Sequence, residues 1–329
     1  MSKTIVVTGG CGYIGSHVAR AFKKDNKENR VYIIDRVRRE HTLQGIDGYF
    51  IDDFSSDASL ATIVDLNPNL IVHCAGTSLV GPSMMNPAEY YDNNVAKTIK
   101  MLNVIKDMPR RPYVLFSSSA SVYGEPKELP VVESSTIQPI SPYGSTKSMV
   151  EHILKHYVAH NISSMCFRYF NAAGAEPFDN DLGQEPGATH IIARALEASI
   201  AGEPFTINGT DFPTKDGTCV RDYIHVWDLA TAHLKGFEYL LEKVLDDPPA
   251  NAFVFNLGTN KGISNREIAV YVRDKYGLSD IKYGQRRWGD PATLVADASR
   301  AQRELGWKPN YSDLPTIVDS AYKWYSRDA

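Results

Sequence analysis

The sequence predicts an α/β fold, a Rossmann-like doubly wound parallel sheet with a smaller C-terminal α/β substrate-binding part. Three observations carry that expectation. Short β-branched runs alternate with longer helical patterns through the first half, as βαβ units do. A glycine triplet follows the first run and opens the first helix. The 329 residues, at about 150 per domain, allow roughly two domains or one large α/β domain, enough to bury a core without disulfides.

In order along the chain, Thr4 to Thr8 reads as a strand, Tyr13 to Lys24 as a helix and Val31 to Asp35 as a strand. Ser59 to Leu66 reads as a helix and Leu70 to His73 as a strand. After Pro87, Tyr90, Asn94, Met101 and Ile105 recur at helical spacing until Pro109 stops them. Tyr113 to Ser117 is a buried strand, Pro142 sits at a helix first turn, and Tyr143 to His160 leads to a strand over Ser164 to Arg168. Beyond Asn171, Gly, Pro and acidic residues crowd Ala175 to Gly187 and Gly209 to Gly217, loops suited to shaping a pocket. Helices over Ile191 to Ala201, Trp227 to Leu241 and Pro315 to Tyr325 complete the chain. The expected division is residues 1–171 for a dinucleotide and 172–329 mainly for a substrate, the two interleaved in one continuous fold.

Composition narrows the function classes. Lys and Arg number 35 against 39 Asp and Glu, a net charge of −4, so no global positive field exists for a nucleic acid or an anionic membrane. No apolar run approaches a membrane span and no signal-peptide core precedes the first strand. The cysteines Cys11, Cys74, Cys166 and Cys219 lie far apart, which reads as reduced thiols in a cytoplasmic protein.

Gly9, Gly12 and Gly15, around Tyr13 and Ile14, vary the usual dinucleotide fingerprint: they permit a tight turn, close approach to a pyrophosphate and a helix N-terminus aimed at it. Asp35 ends the second strand 20 residues after Gly15, where a carboxylate accepts both ribose hydroxyls and repels a 2′-phosphate, favouring NAD over NADP. Arg36, Arg38 and Arg39 follow it, either solvated or tolerating a 2′-phosphate, and Asp53 is placed for the adenine edge. Tyr143 and Lys147 share a helix face one turn apart, and Ser117-Ser118-Ser119 closes the preceding strand. A tyrosine serving as a base at pH 7 needs its pKa lowered by about 3 units, which an ammonium and a cationic nicotinamide together can supply.

In these segments the chain resembles the extended short-chain dehydrogenase/reductases and, within them, the UDP-glucose (UDP-galactose) 4-epimerases. The resemblance is carried by Thr8 to Ser16, Tyr90-Tyr-Asp-Asn-Asn-Val95, Ser117 to Gly124, Ser141-Pro-Tyr-Gly-Ser-Thr-Lys147, Arg168-Tyr-Phe-Asn171 and Asp216 to Val226. It implies tightly held NAD, inversion at C4 through a 4-keto sugar, Tyr143 as base, Ser119 bridging the same oxygen and Lys147 on the cofactor ribose. It implies further that Ala75, Gly76, Asn94 and Tyr169 line the cofactor. Asn171, His190, Ile191, Arg221, Arg287 and Asp290 would then hold the UDP part, and Leu294 would border the sugar C2 substituent. A homodimer through the helices Pro87 to Ile105 and Pro142 to His160 is implied too. Ser78 stands where relatives carry a cofactor lysine and Asn208 where an aromatic covers uracil, a stack that Trp288 or Phe212 would have to replace. Arg221 could instead pair with Asp222.

A 4,6-dehydratase needs an acid and a base where this chain has Ala120-Ser121. Epimerisation of another UDP-sugar and a non-catalytic NAD sensor are the remaining alternatives. His152, His156 and His160 share a helix face, but no acidic or thiol partner completes a metal site, so no metal is expected.

Overall fold

Along β1 (Thr4–Thr8), Ile5 and Val7 pack into one core and Val6 into another. The alternation repeats in β2 (Arg30–Asp35) with Ile33 and Ile34, in β4 (Leu70–His73) and in β5 (Tyr113–Ser119). Strands buried on both faces must be covered by helices on both faces. The computed structural model describes residues 2–39, 45–179, 181–246, 250–286 and 291–327. It shows seven parallel strands in the order β11-β6-β5-β4-β1-β2-β3, with β3 at Gly48–Ile51, β6 at Ser164–Tyr169 and β11 at Ala252–Leu257. α1 (Tyr13–Asp25) and α8 (Val226–Asp246) cover one face through Val18, Phe22, Leu229 and Phe237. α2 (Asp57–Leu66), α5 (Lys97–Ile105) and α6 (Pro142–Tyr157) cover the other through Ile63, Met101, Ile105, Val150 and Leu154.

The expected elements of the first half are present, with one instructive difference. After the short α3 (Val80–Met85), the helix expected to run from Pro87 to Ile105 is α4 (Pro87–Tyr91), a π-helical turn over Asp92–Ala96, and α5. The wide turn brings two consecutive side chains inward: Asn93 donates to Thr77 Oγ1 at 3.1 Å, and Asn94 is 3% exposed. α6 ends at Tyr157 and tightens into a 3-10 turn to His160.

The second part is built from short pieces. β7 (Asn171–Ala173) pairs with β10 (Tyr223–His225), and β8 (Phe205–Asn208) with β13 (Ile281–Gly284). β9 (Val220–Arg221) lies between β12 (Ile263–Ser264) and β14 (Thr293–Leu294). α7 (Ile191–Ala201), α9 (Asn265–Tyr276) and α11 (Leu314–Tyr325) enclose a separate core of Leu196, Ile268, Val272, Ile317 and others. The chain returns to the large sheet through α8 and β11, and α10 (Ser299–Leu305) packs against β11. No helix among the described residues is long and apolar enough to cross a membrane.

Four histidines are buried and neutral: burial lowers His17 and His233 to about 4 and His73 and His225 to about 3. Between pH 6.5 and 4 the unfolded chain protonates all four while the folded chain does not, so stability falls with acidification. Asp222, raised by burial to about 6, works in the opposite sense because its folded carboxyl binds a proton first. The four histidines outnumber the raised carboxyls Asp222 and Asp228, so stability is predicted to fall as the pH drops from 6.5 toward 4. Urea unfolding at pH 7, 6 and 5 checks this, a flat profile being the contrary result.

Candidate active site

The glycine turn connects β1 to α1. Gly9 has φ +69°, and a Cβ on Gly15 would stand 2.2 Å from the Gly9 carbonyl oxygen, so helix and turn approach closer than any other residue allows. No side chain caps α1 and its first turn carries no acid, which leaves its N-terminus disposed toward an anion. Asp35 is held across the turn: one carboxylate oxygen accepts from Cys11 N at 2.9 Å and the other from Val37 N at 3.1 Å.

A cleft of about 550 Å³ opens at the C-terminal ends of the strands, at the neighbouring β1 and β4, where the strand order reverses. The residues of the turn that the sequence singled out, Gly9, Gly12, Tyr13, Ile14 and Gly15, form its floor, and Asp35 and Asp53 stand at one end. Burial raises the Asp53 carboxyl, but bonds from Lys97 Nζ at 2.8 Å and from Ser55 outweigh it and hold the group below its usual range. Ala75, Gly76, Ser119, Tyr143, Lys147 and Tyr169 line the cleft as well. Asn94 lies behind this wall: its amide donates to Thr77 O and Thr146 Oγ1 and accepts from Thr77 N, bracing the loop after β4.

Ser141 caps α6 by accepting from Gly144 N at 3.1 Å, and Pro142 opens the helix, so Tyr143 lies in its first turn and Lys147 one turn on. A Cβ on Gly144 would meet Ser121 O at 2.5 Å; glycine lets the start of α6 press on the turn that follows β5, which carries Ser119. Burial pushes the Tyr143 phenol up, and a hydrogen bond with Ser119 pulls it back in part. Burial lowers Lys147 to about 8. Its ammonium donates to Ser117 O at 2.7 Å and sits 5.8 Å from the Tyr143 ring centroid. Below that wall, Ser117 Oγ bonds Cys74 Sγ and the Tyr169 hydroxyl, both at 3.0 Å, and Tyr169 reaches His233 Nε2 at 2.7 Å.

Of the residues expected to hold a substrate, Asn171, His190 and Leu294 line this cleft. Ile191 lines a second cavity of about 580 Å³ between α7 and β8, with Thr189 lining both; Asn208 lines the second too. Arg221 faces Leu294 across the β9–β14 pair, and its Nη1 donates to Val220 O. Asp222 has other partners, accepting from Thr259 N and Oγ1, Asn260 N and Ala296 N. Arg287, Trp288 and Asp290 lie outside the described residues. Phe212 is buried beneath the Arg286 guanidinium, 4.0 Å from its ring, rather than standing in the groove. Sequence reasoning missed Gln184 and Thr189 on the cleft wall, whose only signal was their place in the Gly- and Pro-rich loop before α7. Among the described residues no group of three or more His, Cys, Asp or Glu side chains could hold a metal ion.

The glycine turn, the open helix N-terminus and the anchored Asp35 fit a dinucleotide, and the Ser119, Tyr143 and Lys147 wall can exchange a proton with a bound alcohol. A cleft of that kind defines a nucleotide-dependent oxidoreduction site on a doubly wound sheet. Residues 5–256 match the NAD dependent epimerase/dehydratase family, and the chain belongs to it. A UDP-glucose 4-epimerase of Lactobacillus helveticus is 39% identical over 330 residues, covering 98% of this chain and 96% of the relative. The crystal structure of a UDP-glucose 4-epimerase from Brucella ovis in complex with NAD superposes with a TM-score of 0.89 at 36% identity, over 98% of each chain. That of the Bifidobacterium longum UDP-glucose 4-epimerase in complex with NAD+ and UDP gives 0.86 at 34% identity, over 99% of this chain and 98% of the other.

Proposed function

We propose that the chain is an isomerase, an NAD-dependent 4-epimerase that interconverts UDP-glucose and UDP-galactose. The observation that carries this is the cleft itself: one wall bears Ser119, Tyr143 and Lys147, its floor is the glycine turn, and its wall residue Thr189 also lines a second cavity of similar volume. NAD, held by the glycine turn and Asp35, would supply a reversible hydride acceptor for the sugar C4, so the net reaction would be inversion with no cofactor consumed. The protein's part is proton transfer and positioning. Tyr143 takes the proton of the 4-hydroxyl and later gives it back, and Ser119 shares the same oxygen. Burial opposes the phenolate, so the tyrosine becomes a base only against positive charge, part of which Lys147 supplies while holding the cofactor ribose. Residues 1–171 hold the cofactor, with Asp35 selecting NAD, and 172–329 hold mainly the sugar nucleotide.

Asn171, His190, Ile191, Arg221, Arg287 and Asp290 take the UDP part, the arginines meeting the diphosphate with planar forks. Ser121, next to Ser119 at 3.1 Å between hydroxyls, offers no carboxyl for the elimination of a 4,6-dehydratase. Four reduced thiols suit the cytoplasm.

α3, α4 and α6 adjoin and expose Met84, Met85, Tyr91 and Met149, with Met85 87% exposed. This apolar face supports a homodimer that pairs the 87–105 and 142–160 helices with their copies.

Purified protein supplied with UDP-galactose is expected to form UDP-glucose without added NAD; no conversion by NAD-loaded protein refutes the reading. In the same assay Tyr143→Phe should fold normally and lose about 100-fold or more in turnover. Leucine at 294 offers no hydroxyl for an N-acetyl amide, so the plain hexose should be preferred by roughly 1 to 3 kcal/mol. Equal kcat/KM for UDP-N-acetylglucosamine would show that Leu294 is not the gate. Light scattering at micromolar concentration should give the mass of a dimer, and Tyr91→Glu with Met149→Glu the mass of a monomer.

A further inference from the structure

At the end of the cleft where Asp35 and Asp53 stand, two loops from distant parts of the chain face each other. One follows β2 and lines the cleft with Arg36, Val37 and Arg39; the other precedes α7 and lines it with Gln184, Gly187, Ala188, Thr189 and His190, Glu185 standing at its rim next to Gln184. They meet in an ion pair, Arg39 Nη1 to Glu185 Oε1 at 2.8 Å, with both side chains about one-third exposed (33% and 37%). Each loop is anchored next to its charge. Val37 N donates to Asp35, and Val37 O accepts from the Tyr49 hydroxyl, itself bonded to Cys11 Sγ at 2.8 Å. On the other side, Trp324 Nε1 donates to Gln184 O at 2.7 Å and Gly187 N to Glu197 at 2.6 Å. The two charges are therefore presented by braced backbone, so little ordering is required to join them.

We propose that the Arg39–Glu185 pair is a clasp across the adenosine end of the cleft, which must open for the dinucleotide to leave. The proposal rests on the NAD reading above. The clasp adds nothing to the chemistry at Tyr143; it acts on how long the cofactor stays. An ion pair of this exposure is screened by salt, which makes retention dependent on ionic strength.

The test measures NAD itself rather than turnover. NAD-loaded wild type, Arg39→Ala, Glu185→Gln and the reversal Arg39→Glu/Glu185→Arg are passed into cofactor-free buffer at low and high salt, and released NAD is quantified over time. Each single variant should release NAD about three- to five-fold faster than wild type at low salt, the size expected of an ion pair one-third exposed. High salt should quicken release from wild type and leave the single variants unchanged, and the reversal should return release to within about two-fold of wild type. Single variants that release at the wild-type rate overturn the clasp. A reversal as leaky as the single variants overturns it too, because Arg39 would then grip the nucleotide directly. Wild type that takes up no NAD at all fails earlier: it removes the cofactor reading and the clasp with it.

Discussion

The ion pair between Arg168 on β6 and Glu151 on α6 is the contact on which the active-site wall depends. It is bidentate, with Nη2 to Oε2 at 2.6 Å and Nε to Oε1 at 3.0 Å, and the two side chains are only 4% and 5% exposed. Every remaining polar edge is used. Ser118 of β5 donates to Glu151, Arg168 Nη1 donates to the Tyr123 hydroxyl and Glu133 O, and Tyr123 donates to Asn256 on β11. Three strands and the helix that carries Tyr143 and Lys147 are thereby joined through one guanidinium. Removing either partner would leave a buried charge unpaired at a cost of about 3 to 5 kcal/mol, whereas the intact pair is weak evidence for net stability. What it secures is register: Ser119, one residue beyond Ser118, and Tyr143, two turns before Glu151, are aimed at the same volume.

Within that volume burial acts on two groups in opposite chemical senses. It raises the phenol of Tyr143 and lowers the ammonium of Lys147, so each resists the charge it must carry. Cys74 at the same wall is pushed up to about 11 by burial and stays a thiol, so it does not compete as an anion. A buried phenol of this kind is a poor base until further positive charge comes beside it, which ties the base strength of the tyrosine to the state of whatever fills the floor above the glycine turn.

How much of this could be read from residues alone depended on the range of the interaction. Spacing within one element was legible: Tyr143 and Lys147 on a helix opened by Ser141-Pro142, the glycines between β1 and α1, and Asp35 at the end of β2. The boundaries of Leu70–His73 and Ile191–Ala201 also match the runs that predicted them. The π-helical turn was not legible, since Tyr90 and Asn94 keep helical spacing and the widened turn answers to Thr77 and Thr146, far away in sequence. Two-residue strands such as Val220–Arg221 and Thr293–Leu294 carry no period, and they exist because Asp222 gathers the backbone of Thr259, Asn260 and Ala296 around them. The Asn94 amide bonds the Thr77 backbone and the Thr146 hydroxyl, partners that spacing within one helix does not reveal.

The last strand of the large sheet, β11, comes more than eighty residues after its neighbour β6 and only after the chain has visited the second core. Phe255 and Leu257 complete the same apolar layer as Met165 and Phe167, and Asn256 completes the polar network around Arg168. During synthesis, β6 therefore waits with an unpaired edge and an incomplete apolar face while α7, the short strands β7 to β10 and then α8 emerge. An exposed parallel edge is a site for association with other chains. The time spent in that state is set by the length of the intervening chain, so loops inserted between residues 171 and 252 would lengthen the interval of greatest aggregation hazard even where they leave the finished molecule undisturbed.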